Sequence, residues 1–260
     1  MTMPKKIQSI LVVYYVGYKK TMEHVRDVLD VFGAQYKTLN RRRLSHNHFS
    51  GKDFIIVVGG DGTFLRTSHY IKDVPVLGVC YNTNVNEGFY ARSWQEDFRD
   101  KFALVAAGKF KIINLLRLQG YVNGKSLFPA LNEYYIGSEK PYYTARYMIR
   151  IGNKKEFQKS SGVVVATPSG SYGWMKSAGG KLLPLGSRNY QYLVREPYKG
   201  RLSNTQLSHG ILSEKQKLVI ESNIDRGIVA VDSYKKDYMF ETGSVFTVGV
   251  YKHPLRLVYF

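Results

Sequence analysis

Hydrophobic and polar positions change rhythm near residue 108. Before it, short unbroken apolar runs alternate with stretches of helical spacing. Strands are predicted at 7–15, 34–39, 55–58 and 76–81; the run at 55–58 is β-branched and continuous, as in a fully buried strand. Met22, Val25, Leu29 and Phe32 recur at helical intervals, predicting a helix over 19–32 that Gly33 stops. Further helices are expected over 63–70 and, with Ser93 as cap, over 93–107. Such alternation implies a parallel sheet covered on both faces, whose ligands bind outside the carboxyl ends of the strands.

Beyond Gly108 helical periodicity is confined to about 173–178. Two hairpins are predicted: 115–121 with 126–136 around Asn123-Gly124, and 143–151 with the segment about Phe157 around Gly152-Asn153. Strands follow at 163–166, 191–194, 217–221, 228–232, 244–250 and 255–260. The expected organisation is an α/β domain over 1–108 and an all-β domain from 109.

The 260 residues, 44% of them hydrophobic, are enough for two cores. No run is long enough to cross a membrane, and 1–6 has no apolar signal core behind a charged leader. Cys80 is the single cysteine, which fits a reducing cytosol and excludes a cysteine-based zinc site. The six histidines show no H-E-x-x-H spacing, and no metal-ligating residue is assigned. The net charge of +18, from 38 basic and 20 acidic residues, favours anionic ligands. The basic residues are dispersed, with Arg41-Arg42-Arg43 the only run of three, so nucleic acid is not the expected partner.

The chemistry centres on IIVVGGDGTFL at 55–65. A strand, a glycine turn and a helix start at Thr63 gather free N–H groups at a point that suits phosphate. Gly59, Gly60 and Gly62 remove the side chains that would obstruct it. Asp61 adds the wrong charge for a phosphate ligand. Either it takes a proton from a hydroxyl, or it reaches phosphate through a metal ion, or it is a solvated turn residue. Asn82-Thr83-Asn84 follows the next strand. Asn132 and Glu133 interrupt an apolar strand, where they are either satisfied by a ligand with vicinal hydroxyls or exposed at a bulge. The stretch 167–180, TPSGSYGWMKSAGG, is either a surface loop or a wall on which Trp174 or Tyr172 stacks a base. Walker A, G-x-G-x-x-G and G-x-S-x-G patterns are absent.

Taken in order, these stretches resemble the NAD kinase family, whose pattern runs G-G-D-G-T, N-T-G, N-E, then D-G followed by T-P-T-G-S-T-A-Y and S-A-G-G. The similarity extends over most of the chain. G-G-D-G alone is also shared with phosphofructokinases and with diacylglycerol and sphingosine kinases. The resemblance implies an α/β N-terminal domain with a parallel sheet, a β-sandwich C-terminal domain over 109–245, an active site between them, and a tail, about 246–260, returning to the first domain. It implies transfer of the ATP γ-phosphoryl group to the 2′-hydroxyl of the adenosine ribose of NAD, with magnesium or another divalent cation. By the same resemblance Asp61 is catalytic, and Gly59, Gly60, Gly62, Thr63 and Asn82 bind phosphate or nucleotide. Asn132, Glu133, Ser161, Thr167, Ser171, Tyr172, Trp174 and Ser177 bind NAD. A cytoplasmic homo-oligomer, dimer or tetramer, is expected. Ser161 stands where the family has Asp, Tyr172-Gly173-Trp174 replaces Thr-Ala-Tyr, and the turn from Asn82 to Phe89 is longer than usual. A non-catalytic dinucleotide sensor and a lipid kinase of the wider superfamily are the competing readings.

Overall fold

The computed structural model describes residues 7–81, 87–200, 205–232, 234 and 236–260. It divides into two compact units, one holding the chain up to Asn114 together with His253–Phe260, the other Leu115–Lys252.

In the first unit the apolar runs become β1 (Ile10–Tyr14), β2 (Tyr36–Asn40), β3 (Phe54–Val58) and β4 (Val76–Cys80). They lie in the order β2-β1-β3-β4, followed by the C-terminal strand Leu255–Tyr259 and then Lys111–Leu115. The pairs β1–β2, β1–β3, β3–β4 and β4 with the C-terminal strand are parallel. All five residues of β3 and of β4 are buried, which explains their unbroken hydrophobicity. Ile10, Val12, Ile56 and Val58 face a helical layer of α1 (Lys19–Val31) and α3 (Phe98–Ala106), which supplies Met22, Val25, Leu29, Phe98 and Phe102. The alternate residues Leu11, Val13, Ile55 and Val57 point to the opposite face and are also buried. Helix α2 spans Asp61–Ser68 between β3 and β4.

Two expectations are corrected here. The helix predicted from Ser93 begins only at Phe98, because Ala91–Trp94 is a strand, β5, added parallel to β4. Asp97 holds the bend between them, accepting from Ser93 Oγ and Trp94 N–H, each at 2.8 Å. The boundary falls at Asn114 rather than 108, since Lys111–Leu115 (β6) joins the first sheet.

The second unit is an antiparallel sandwich. Its strands are β7 (Leu118–Val122), β8 (Lys125–Ser126), β9 (Glu133–Ser138), β10 (Ala145–Ile151), β11 (Lys154–Ser160), β12 (Val163–Ala166), β13 (Tyr190–Val194), β14 (His209–Leu212), β15 (Leu218–Ser222), β16 (Gly227–Val231), β17 (Tyr238–Met239) and β18 (Val245–Val250). One sheet runs β11-β10-β15-β18-β7-β8, the other β14-β13-β12-β9-β16-β17. Tyr147, Ile149, Ile220, Phe246 and Val248 of the first interdigitate with Tyr134, Ile136, Val163, Val165, Val229 and Val231 of the second. The tail leaves this unit later than 246, because β18 pairs with β7 and β15.

The hairpin predicted from 143 forms in full register, Ala145↔Ser160 to Ile151↔Lys154. The one predicted from 115 does not. Tyr121 and Val122 pair with Ser126 and Lys125, and beyond them an isolated bridge joins Leu118 to Ala130. Pro129 then interrupts the run, and β9 sits in the other sheet between β12 and β16.

Phe246 is fully buried, with ring centroids 5.5 Å from Tyr134 and 6.5 Å from Phe240. Phe246→Ala should destabilise the second unit by about 3–5 kcal/mol, read as a lower denaturant midpoint with the m-value unchanged.

Candidate active site

Strand β3 ends at Val58, and the N–H of Gly59 after it donates to Val79 O at 3.0 Å. Gly60 occupies the N-cap and the helix starts at Asp61, two residues earlier than expected, so Thr63 is not the cap. Thr63 is buried inside the first turn, its N–H donating to Gly60 O at 2.8 Å. The N–H groups of Gly60, Asp61 and Gly62 lie at the helix start, where no carbonyl of the helix can accept them. A Cβ on Gly59 would stand 2.7 Å from Thr63 Oγ1, so only glycine fits, while one on Gly62 would meet nothing within 4 Å.

The Asp61 carboxylate is not a loose turn residue. One oxygen accepts the Tyr90 N–H at 2.9 Å and the other the Phe89 N–H at 3.1 Å. Phe64 stacks on Tyr90 at 4.8 Å and ties the donating segment to α2. Arg92 is nearby and donates to Phe89 O and Ala91 O. Burial holds its guanidinium below the usual value, and the charge of Asp61 opposes that shift. Asp61 is therefore aimed and ionically supported, with lone pairs left to accept a further proton. Asn82 lies outside the described residues.

In the second unit Asn132 and Glu133 stand where the chain enters β9. The Asp232 carboxylate accepts three successive N–H groups there: Leu131 at 2.8 Å, Asn132 at 2.7 Å and Glu133 at 3.0 Å. Asp232 is buried at the end of β16 with φ +47°, and its own N–H donates to Glu133 O at 3.0 Å. Glu133 is 5% exposed, and its Oε2 is buried without a hydrogen-bond partner among the described residues. Burial first, and the Asp232 charge second, push its carboxyl up to about 8. An unsatisfied acid of this kind awaits a hydroxyl or cationic donor.

The stretch 167–180 packs on the outer face of β9 and β12. Thr167 Oγ1 donates to Leu131 O at 2.6 Å and accepts Gly170 N–H at 3.0 Å. Ser171 Oγ donates to Pro168 O and accepts Leu183 N–H. Both hydroxyls are fully buried and fasten the loop. A Cβ on Gly170 would lie 2.2 Å from Asn132 O, so this approach also requires glycine. Tyr172 and Ser177 are exposed. Trp174, on the short helix Trp174–Ser177, stacks with Tyr135 at 5.4 Å and lies 5.3 Å from the Arg195 guanidinium. Ser161 joins this cluster through its backbone, its carbonyl accepting from Tyr135 OH at 2.9 Å and its N–H donating to Arg195 O. Among the described residues no group of three or more acidic, His or Cys side chains could hold a metal ion.

The ATP-NAD kinase N-terminal domain family matches residues 8–110. A probable NADH kinase of Oryza sativa subsp. japonica is 28% identical over 255 residues, spanning 89% of this chain and 78% of the relative. An NAD kinase of Methanosarcina acetivorans is 27% identical over 267 residues, spanning 98% and 89%. The fold matches the crystal structure of an NAD kinase from Archaeoglobus fulgidus in complex with ATP, with TM-score 0.78 and 24% identity over 97% of this chain and 93% of that one. Residues 8–110 thus match that domain family, and over most of its length the chain is similar to NAD kinases and NADH kinases, which are transferases. The two-part fold expected from the resemblance is the one observed.

Within this NAD kinase fold, sequence reasoning missed Asp232, Tyr135 and Arg195. Asp232 carried a faint signal, a carboxylate closing the apolar run IVAV. Nothing local marked its bonds to Leu131, Asn132 and Glu133, about a hundred positions away.

The raised Glu133 carboxyl gives a signed prediction. The stability associated with its protonated form is complete below about pH 4.5 and is lost as pH rises through about 8. Without ligand, Glu133→Gln should therefore gain Tm relative to the wild type as pH rises from 5 to 8, with the difference levelling off above. Thermal denaturation across that range checks it, and a pH-independent difference would contradict it.

Proposed function

We propose that the protein transfers the γ-phosphoryl group of ATP to the 2′-hydroxyl of the adenosine ribose of NAD, giving NADP. The observation that carries this reading is the Asp61 carboxylate, fixed by two backbone N–H groups at a helix start flanked by Gly59, Gly60 and Gly62. A ribose hydroxyl is a weak nucleophile, and a positioned base typically contributes ~100- to 10,000-fold. Asp61 takes the hydroxyl proton as the oxygen bonds to the γ-phosphorus and the bond to ADP breaks. The first-turn N–H groups neutralise charge on the phosphates.

Glu133 and Asn132 hold the dinucleotide in this reading. The unsatisfied Glu133 Oε2 accepts a sugar hydroxyl, which suits a ribose better than a lipid acceptor. Thr167 and Ser171 fasten the loop beneath it, while Ser161, Tyr172, Trp174 and Ser177 shape its rim. Magnesium fits this chemistry, since it binds through one or two carboxylates and substrate phosphates rather than a protein cage. The donor's phosphate oxygens would hold it, and the ion would supply charge neutralisation.

We further propose a cytoplasmic homo-oligomer, dimer or tetramer. The buried free thiol of Cys80 agrees with a reducing compartment. Among the described residues no helix is long and apolar enough to cross a membrane.

ATP, magnesium and NAD should yield NADP, and the same assay run with NADH in parallel measures the preference between the two acceptors. NAD binding without turnover would instead support a sensor, and phosphorylation of liposomes a lipid kinase. Asp61→Asn should lower kcat by ~100-fold or more while the KM for ATP stays within a few-fold. Wild-type turnover in that variant would remove Asp61 from the mechanism.

A further inference from the structure

The arginine run at 41–43 has no role in the chemistry described above, yet its first member is set apart from the other two. Arg42 and Arg43 are exposed, whereas Arg41 is drawn inward. The run forms a single 3-10 turn directly after β2, pinned by Arg42 N–H donating to Asn40 Oδ1 at 2.9 Å. That turn sends Arg41 towards the glycine loop. Its guanidinium carbon lies 3.8 Å from the centroid of the Tyr15 ring, and its Nη1 donates to Thr63 Oγ1 at 2.8 Å. Its Nε is buried with no hydrogen-bond partner among the described residues.

No carboxylate pairs with this guanidinium among the described residues. Burial, and next the charge of Arg66 on α2, hold it below the usual arginine value. A guanidinium drawn inward without a carboxylate of its own is suited to an anion. The location adds a second argument. Tyr15 follows β1, Arg41 follows β2 and Gly59 follows β3, and Tyr15 N–H donates to Val58 O at 3.2 Å. Strand order reverses between β1 and β3, and the carboxyl ends of strands at such a reversal are where open parallel sheets bind ligands.

We infer that Arg41 contacts the phosphates of the nucleotide donor, its guanidinium oriented by Tyr15 and Thr63 so that its remaining N–H groups meet the triphosphate at the glycine turn. The inference rests on the phosphoryl-transfer reading for the donor's identity, but not for the anion site itself. Arginine suits this task because its planar fork stays charged when partly desolvated and bonds two phosphate oxygens at once.

Arg41→Met keeps the aliphatic stem on Tyr15 and removes the charge; Arg41→Lys keeps the charge and loses the fork. Calorimetry with tripolyphosphate at two salt concentrations measures the site without catalysis, and steady-state kinetics supply the KM for ATP and for NAD. Arg41→Met should weaken tripolyphosphate binding and raise the KM for ATP by about 10- to 100-fold, the range for a hydrogen bond to a charged group. Its remaining affinity should depend less steeply on salt. The KM for NAD should stay within about twofold, and Arg41→Lys should recover part of the loss. Unchanged tripolyphosphate affinity in Arg41→Met would overturn the inference, as would equal rises in both KM values with a lowered Tm. A wild type that binds tripolyphosphate through Arg41 but makes no NADP would refute the kinase reading and leave this site standing.

Discussion

Three consecutive backbone N–H groups converge on the carboxylate of Asp232, and the arrangement of the second unit's site depends on that convergence. A strand that turned out of its sheet at Leu131 would leave those donors unpaired in a buried setting, which costs about 1–3 kcal/mol for each. Asp232 satisfies all three from the end of β16, in a left-handed conformation that a short polar side chain tolerates. With the backbone so held, Glu133 and Tyr135 are directed away from the sandwich core, while Tyr134 and Ile136 are directed into it. The same carboxylate that builds the turn helps keep Glu133 protonated. Structure and electrostatics at this position come from one side chain.

The first unit solves a comparable problem in the opposite sense. There the carboxylate proposed to act on substrate is itself the acceptor. Phe89 and Tyr90 N–H groups fix the Asp61 oxygens, and the Phe64–Tyr90 stack keeps those donors in place. A carboxylate positioned by the main chain has little side-chain freedom left to lose, which is the advantage of preorganisation. The glycines around it serve by absence. Gly59 admits Thr63, and Gly78 admits the backbone of Tyr90, whose oxygen would stand 2.5 Å from a Cβ.

The sequence was most legible where local chemistry and tertiary environment agreed. The run at 55–58 reads as a doubly buried strand because every residue is apolar, and the structure extends it by one residue to Phe54. The Gly152-Asn153 hairpin was equally plain. Ser93 misled because a good capping residue sits in a strand that only its pairing with β4 explains. The run at 126–136 misled because its pattern does not say which sheet accepts it, and Pro129 had to be weighed as a break. Thr167 and Ser171 stood out in the sequence as hydroxyls in a glycine-rich stretch, and their bonds fasten that stretch to Leu131, Pro168 and Leu183. Residue type gives the capacity to bond; only the fold gives the partner. Asp232 and Arg41 could not be placed by pattern for the same reason, since the groups they touch are remote in the chain.

The strand Leu255–Tyr259 lies between β4 and β6 in the first unit's sheet. A ribosome therefore releases the second unit's strands before the piece that finishes the first sheet. Until then β4 and β6 have no neighbour between them, and unpaired edges of apolar strands invite association with other chains. The sandwich, continuous in sequence, can fold first; the α/β unit must wait for closure across some 140 intervening residues, a long-range step of the kind that slows folding. Translation order thus gives the two halves of this chain different periods of vulnerability, with the α/β half exposed longer.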